Sequence, residues 1–274
     1  MTTLLDNYDP FARFYDLFYG GQIDDLPMYR DFALAAAGPI LELGCGTGRV
    51  LVPLAHDGHA VTGLDISEAM LDAARAKVQA AGVETRVKLV RGDMCDFELP
   101  DSYSLAIIPI NTFMHCHNLE RQLACLRCVR RHLVPGGQLV IDVFHPDLQT
   151  LLESDGRLLL RGEVVDPDTG HTLQHYVTRR VELATQTQHT TFVIDEIDAS
   201  GNVRRSLFPF RMRFVYRYEM ELLLRLAGYS LEAVYGSYDL EPFDSDSEKM
   251  IFVARLDFRP AKEVGRIHEG HEGH

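Results

Sequence analysis

The run Glu42-Leu43-Gly44-Cys45-Gly46-Thr47-Gly48 is the stretch of this chain best equipped to hold a ligand. Its alternating glycines let the backbone approach a bound molecule with no Cβ in the way and adopt positive φ where a bend requires it. The spacing is G-x-G-x-G. A dinucleotide site asks instead for G-x-G-x-x-G, with a pyrophosphate resting on the following helix N-terminus. Glu42, two positions before the first glycine, would repel such a pyrophosphate and suits an ammonium or a sulfonium. Downstream, Asp65 in GLDIS can accept two hydrogen bonds from vicinal ribose hydroxyls. Asp93, in Gly92-Asp93-Met94, adds a carboxylate suited to an exocyclic adenine amine.

These groups meet only if a scaffold gathers strand ends. From Pro39 the pattern alternates: an apolar run ILELG, a helix over Arg49 to His56, a strand AVTGLD, then a helix from Ser67 to Ala80 with Ser67 as N-cap and Gly82 as stop. The strands RVKLVRG and SLAIIPI follow, then a helix over Leu119 to His132, the turn Pro135-Gly136-Gly137 and the strand QLVIDVF. Strands alternating with helices of this length imply parallel strands joined by right-handed crossovers. The expected fold is therefore α/β, a doubly wound Rossmann-like sheet. In such a sheet ligands lie beyond the carboxyl ends of the strands, where the chain order reverses, and the glycine run is expected there.

The flanks read differently. Pro10 to Gly38 suggests two helical segments broken at Gly20-Gly21, a cap over residues 1–38. Residues 155–216 hold four extended runs separated by PDTG, ATQT and ASGN, which predicts an inserted antiparallel sheet. A helix over Glu219 to Leu226 stops at Gly228, and the strands YSLEAVYG and EKMIFVARL return to the main sheet as an antiparallel edge. The cofactor-binding domain is thus assigned to 39–154 and 217–258, and 259–274, with His268, His271 and His274, is read as a disordered tail.

Charge and cysteines narrow the function classes. A net charge of -13 argues against nucleic acid as partner, since phosphate binding needs clustered Lys and Arg and the chain shows short pairs such as Arg179-Arg180. Five cysteines, in neither a disulfide nor a zinc pattern, fit a reduced compartment. No apolar run reaches the roughly 20 residues of a membrane span, and the start shows no secretory signal, so a cytoplasmic protein without a membrane partner is expected. A homodimer is compatible with these features.

Taken together, ELGCGTG, GLDIS, GDM and LVPGGQLVID, from Ile40 to Val143, resemble the class I S-adenosylmethionine-dependent methyltransferases. The resemblance implies that Gly44, Gly46 and Gly48, with Glu42 and Cys45 in the same bend, hold the methionine portion of S-adenosylmethionine. It likewise gives Asp65 the ribose, Asp93 and Met94 the adenine, and Ile66 and Met70 the flanks of the ring. A narrower resemblance, to bacterial N,N-dimethyltransferases of nucleotide-linked amino sugars, rests on Tyr8, then Tyr15-Asp16 seven residues later, and the antiparallel insertion. It points to Tyr8 and His115 as the residues near cofactor and amine; independently of it, Tyr15 is a candidate to close over the cofactor by cation–π contact with its sulfonium. The segment PINTFMHCHN departs from the serine-rich stretch usual there.

Methyl transfer from a sulfonium is an in-line displacement that needs positioning in a dry pocket rather than a metal. A histidine, with an ordinary pKa near about 6.5, can take the proton of an amine nucleophile. His115 is assigned that role, and Tyr8 a cation–π contact with the sulfonium. Asn111, past the fourth strand, is a candidate to bind substrate. Arg211, Arg213 and Tyr216, on the last insertion strand, would meet an anionic substrate group if their face roofs the pocket, and water otherwise. The leading reading is methylation of a small-molecule acceptor at nitrogen. O- or C-methylation, a cofactor-binding module without turnover and a nicotinamide-dependent oxidoreductase are the alternatives.

Overall fold

The computed structural model describes residues 8–256. The tail histidines lie outside them. The N-terminal segment is a short 3-10 turn at Asp9–Phe11 running into α1 (Ala12–Tyr19), followed by α2 (Leu26–Ala35). The α/β part begins with β1 (Ile40–Leu43), α3 (Leu51–His56), β2 (Val61–Asp65), α4 (Glu68–Ala81), β3 (Val87–Arg91) and β4 (Tyr103–Ile108). It continues through α5 (Leu119–His132) and β5 (Leu133–Phe144). Ser67 caps α4 by accepting the Met70 amide, and Gly82, at φ 66°, ends it in the left-handed conformation that glycine tolerates.

After β5 comes α6 (Leu148–Ser154), a helix that the sequence pattern did not announce. Four strands follow: β6 (Leu158–Val165), β7 (Thr172–Glu182), β8 (Thr187–Ile197) and β9 (Val203–Arg213). They form a separate antiparallel meander in chain order. The chain then returns through α7 (Arg217–Ala227), β10 (Tyr229–Tyr235) and β11 (Lys249–Leu256).

The main sheet has seven strands in the order β10-β11-β5-β4-β1-β2-β3. Only β11 runs against its neighbours, being antiparallel to both β5 and β10. Chain order reverses between β1 and β4, so the residues after those two strands face one crevice. The central strands are apolar on both faces, as a sheet covered by helices on both sides requires. On one side Leu41, Leu43, Ala106 and Ile108 pack with α5 and α7. On the other, Ile40, Val61, Leu105 and Ile107 pack with α2 and α3.

A third apolar cluster joins the N-terminal segment to the insertion. Phe11 and Phe14 pack with Leu173, Ile194, Phe208 and Phe210 of the meander and with Met70 of α4. Polar staples hold the same segment to the cofactor-side loops. Asp16 accepts hydrogen bonds from Thr47 and Lys77, each at 2.6 Å, and Arg49 makes a bidentate pair with buried Asp25 at 2.6 Å. Ser67 donates to Asp9 at 2.5 Å. The N-terminal segment therefore lies between the α/β sheet and the meander, over the carboxyl ends of β1 and β2. No helix among the described residues is long and apolar enough to cross a membrane.

Candidate active site

The glycine bend sits at the crevice. Gly44 (φ 67°) is held where its amide donates to Leu64 O at 2.7 Å, and a Cβ there would fall 2.3 Å from Thr112 Cγ2. Only glycine lets the β1 bend touch the β4 bend so closely. Gly46 (φ 53°) has nothing within reach of a Cβ, because it faces open cavity. Its amide donates to Asp65 Oδ2 at 2.8 Å, while Asp65 Oδ1 accepts from the Ser67 amide at 2.9 Å. Burial raises the Asp65 pKa against the pull of these amides. Two backbone donors thus fix the carboxylate at the strand end.

Around this bend opens a cavity with about 940 Å³ of empty volume, open solvent included. Of the residues predicted from sequence, Tyr8, Tyr15, Gly44, Gly46, Asp65, Ile66, Met70, Asp93, Met94 and His115 line it. A smaller neighbouring cleft, sharing Tyr15, Gly44, Ile110 and Thr112, is lined by Glu42 and Cys45. Glu42 is 1% exposed, and its Oε2 has no hydrogen-bond partner. Burial pushes its pKa up to about 8, although the Arg49 charge pulls the other way. An orphaned buried carboxyl oxygen beside a side-chain-poor bend fits a ligand that brings an ammonium, as the methionine end of S-adenosylmethionine does.

At the opposite wall, Tyr8 Oη lies 3.1 Å from His115 Nε2, and the two rings meet edge to face with centroids 5.5 Å apart. Phe210 of β9 stacks on Tyr8, with centroids 4.3 Å apart. Tyr15 is half-buried, and desolvation raises its pKa to about 12 and keeps its phenol neutral. Asp93 accepts from Arg121 Nη2 at 2.8 and 2.9 Å and from the Cys95 amide at 2.9 Å. Burial raises the Asp93 pKa, but the guanidinium and that amide outweigh it, and the net shift is downward.

Apart from Glu42 and Cys45, which line only the smaller cleft, five predicted residues are placed elsewhere. Gly48 (φ 81°) meets Val52 and Ala74, so it serves the packing of α3 on α4 rather than the cavity wall. The Cys45 thiol is buried against Gly63 with a pKa raised by burial. Asn111 does not reach the cavity: at φ 62° its amide donates to Asp142 O at 2.8 Å and its Oδ1 accepts from the Phe144 amide at 2.7 Å, which ties the β4 bend to the end of β5. Arg213 is ion-paired with Glu219 at 2.7 Å and donates to Gln122 at 3.0 Å. Arg211, by strand alternation, shares the face of Arg213, opposite Phe208 and Phe210. Tyr216 caps α7, its amide 3.4 Å from Glu219 Oε2, and is more than a third exposed.

Sequence reasoning missed Leu64, Ile110, Thr112 and Arg121, all on the cavity wall, and ranked His117, also there, below His115. Arg121 did carry a signal. It stands in the first turn of α5, three residues after the N-cap Asn118, where the helix dipole disfavours a cation. Its pairing with Asp93 accounts for that placement.

A mostly parallel seven-stranded sheet with one reversed strand, bearing a glycine bend and an acidic strand end at its switch point, defines a Rossmann-like nucleotide-cofactor enzyme. The comparisons place it further. Residues 40–137 match the family described as "Methyltransferase domain". The solved structure of the CcbJ methyltransferase from Streptomyces caelestis is 30% identical, covers 93% of this chain and 98% of its own, and superposes with a TM-score of 0.76. A cypemycin N-terminal methyltransferase from a Streptomyces species is 29% identical over 214 residues, 78% of this chain and 81% of the relative. A dTDP-3-amino-3,4,6-trideoxy-alpha-D-glucopyranose N,N-dimethyltransferase of Streptomyces venezuelae is 30% identical over 141 residues, 48% of this chain and 56% of the relative. This chain belongs to the S-adenosylmethionine-dependent methyltransferases.

Proposed function

We propose that the protein methylates an amine nitrogen of a small molecule, with His115 and Tyr8 at the reacting end of the site. The observation that carries this reading is the Tyr8–His115 hydrogen bond of 3.1 Å on the wall of the cavity that Asp65 and Gly46 also line. Two of the similar proteins are named for methylation at nitrogen. Glu42 and the Gly44–Gly46 bend are assigned to the amino-acid end of the cofactor, Asp65 to its ribose, and Asp93, steadied by Arg121, to its adenine. Bound there, S-adenosylmethionine supplies an electrophilic methyl group.

The chain's own work is to orient the acceptor and deprotonate it. A protonated amine has no lone pair to attack with. The Tyr8–His115 pair takes that proton: Tyr8 Oη, pinned by Phe210, accepts it as its own hydroxyl proton passes to His115 Nε2. Tyr15, Met70, Leu64 and Ile110 give the cavity apolar surface that excludes water from the reacting groups.

The test is turnover over a panel of small amines, phenols and carbon acids with S-adenosylmethionine as donor. Methylated amines are the expected product. His115→Ala should lower turnover by about 10²- to 10⁴-fold, the range of general acid–base catalysis, while S-adenosylhomocysteine binds within about twofold of wild type. Methylation confined to phenols or carbon acids, or a His115→Ala variant as fast as wild type, would refute the reading.

A further inference from the structure

The turn after β4 holds two consecutive non-glycine residues at positive φ, Ile110 at 36° and Asn111 at 62°. Asparagine tolerates the left-handed region, but a β-branched side chain is an outlier there and stays only where the surrounding structure imposes it. Such residues gather where a site needs a fixed shape. Ile110 lies on the wall of both the main cavity and the smaller cleft.

The imposing contacts come from β5. The Asn111 amide donates to Asp142 O at 2.8 Å, and the Phe144 amide donates to Asn111 Oδ1 at 2.7 Å. Asp142 is itself fixed: it is 1% exposed, its Oδ2 accepts from Tyr238 Oη at 2.9 Å, and its Oδ1 stands 3.9 Å from Lys249 Nζ. Burial raises the Asp142 pKa against the pull of Lys249, the Tyr238 hydroxyl and the Ile110 amide, which puts this carboxyl group beside the strained peptide as well.

Forward of the turn lies the reacting end. Asn111 O accepts the Met114 amide at 2.9 Å and so begins the 3-10 turn Thr112–His115. Thr112 comes to rest on the β1 bend, its Cγ2 2.3 Å from where a Cβ on Gly44 would stand, and His115 meets Tyr8 Oη at 3.1 Å. One turn thus sets the spacing between the bend assigned to the methyl donor and the Tyr8–His115 pair. Glycine would suit φ 62° better than asparagine does, so what Asn111 adds is its Oδ1, the acceptor that ties the turn to β5.

We infer that Asn111 is a positioning residue, whose side-chain bond to β5 holds the turn that sets His115 against Tyr8 and opposite the Gly44 bend. The inference rests on the reading of Tyr8 and His115 as the reacting end. Asp142 and Tyr238 back the turn from outside both clefts.

The test compares Asn111→Asp, which keeps an oxygen for the Phe144 amide, with Asn111→Gly, which keeps only the left-handed backbone. The full chain, saturated with S-adenosylhomocysteine, is followed by NMR through the His115 ring signal, assigned by its absence in His115→Ala, and through the nuclear Overhauser contact of that ring with Tyr8. Asn111→Gly should shift the signal and lose most of the contact. Its kcat on an accepted amine should fall at least about tenfold while S-adenosylhomocysteine affinity stays within about threefold, because a misplacement of about 1 Å is enough for such a loss. Asn111→Asp should keep the Tyr8 contact and a kcat within about threefold of wild type. Tyr238→Phe should move the His115 signal in the same direction by a smaller amount, and it supplies the measurement should Asn111→Gly not fold. A His115 signal that stays at its wild-type position in both Asn111→Gly and Tyr238→Phe refutes the inference. So does an Asn111→Asp that behaves as Asn111→Gly does, or a loss of S-adenosylhomocysteine affinity as large as the loss of kcat. The NMR signal does not depend on the acceptor, so methylation confined to phenols or carbon acids would end the amine reading and leave the positioning result standing.

Discussion

Glu42 is a buried acid whose carboxyl favours its proton, and that has consequences that can be measured. Its pKa is raised from 4.5 to about 8, first by burial. Between those two values the native state keeps a proton that the unfolded chain has lost, so this group lowers stability as pH rises through that window. Glu42→Gln removes the titration. Its stability relative to wild type should therefore improve from pH 5 to pH 8, by at most about 1.4 kcal/mol per pH unit, in urea melts. If Glu42 meets the cofactor's ammonium, binding at pH 7 also expels its proton, and the binding heat should vary with the ionisation enthalpy of the buffer. The variant should lose that dependence. Equal buffer dependence in the two proteins would mean that Glu42 does not face the cation. The acidic positions Glu42, Asp65 and Asp93 were legible because each follows or ends a strand in a fixed relation to glycine. Asn111 misled, because an asparagine just past a strand also suits a left-handed turn, and here its side chain serves the β5 backbone.

At the scale of elements, alternation and caps made nearly every helix and strand of the α/β part readable, down to Ser67 and Gly82. What alternation cannot say is which face of an inserted sheet turns inward. Arg211 and Arg213 lie on the face opposite Phe208 and Phe210, and the inward cation is Arg179, two strands away. That choice is made by the N-terminal segment, whose Phe11 is fully buried with its ring 5.2 Å from both Phe192 and Phe208. Truncating a buried phenylalanine costs about 3–5 kcal/mol. Phe11→Ala should therefore lower the melting temperature and, by loosening the seat of Tyr8, reduce turnover more than it reduces S-adenosylhomocysteine affinity. An unchanged kcat in a destabilised variant would show that Tyr8 keeps its place without this anchor.

Over the whole molecule, the cavity is assembled from distant parts of the chain: Tyr8 and Tyr15, the bend after β1, the ends of β2 and β3, and the turn after β4. The meander touches it through Phe210 on Tyr8 rather than through a wall of its own. A ligand in this cavity contacts both the sheet and the N-terminal segment, so its binding energy should stabilise all layers at once. At a hundredfold excess over Kd, a ligand that binds only the folded state adds about 2.7 kcal/mol. For a chain of this size that corresponds to about 5 to 10 °C in melting temperature. S-adenosylhomocysteine should accordingly move a single calorimetric transition upward by that amount, and Asp65→Ala, which removes the acceptor of the Gly46 and Ser67 amides, should abolish most of the shift. Two transitions, with only one responding to ligand, would mean that the meander unfolds on its own and that the aromatic cluster of Phe11, Phe208 and Phe210 does not couple it to the cofactor-binding sheet.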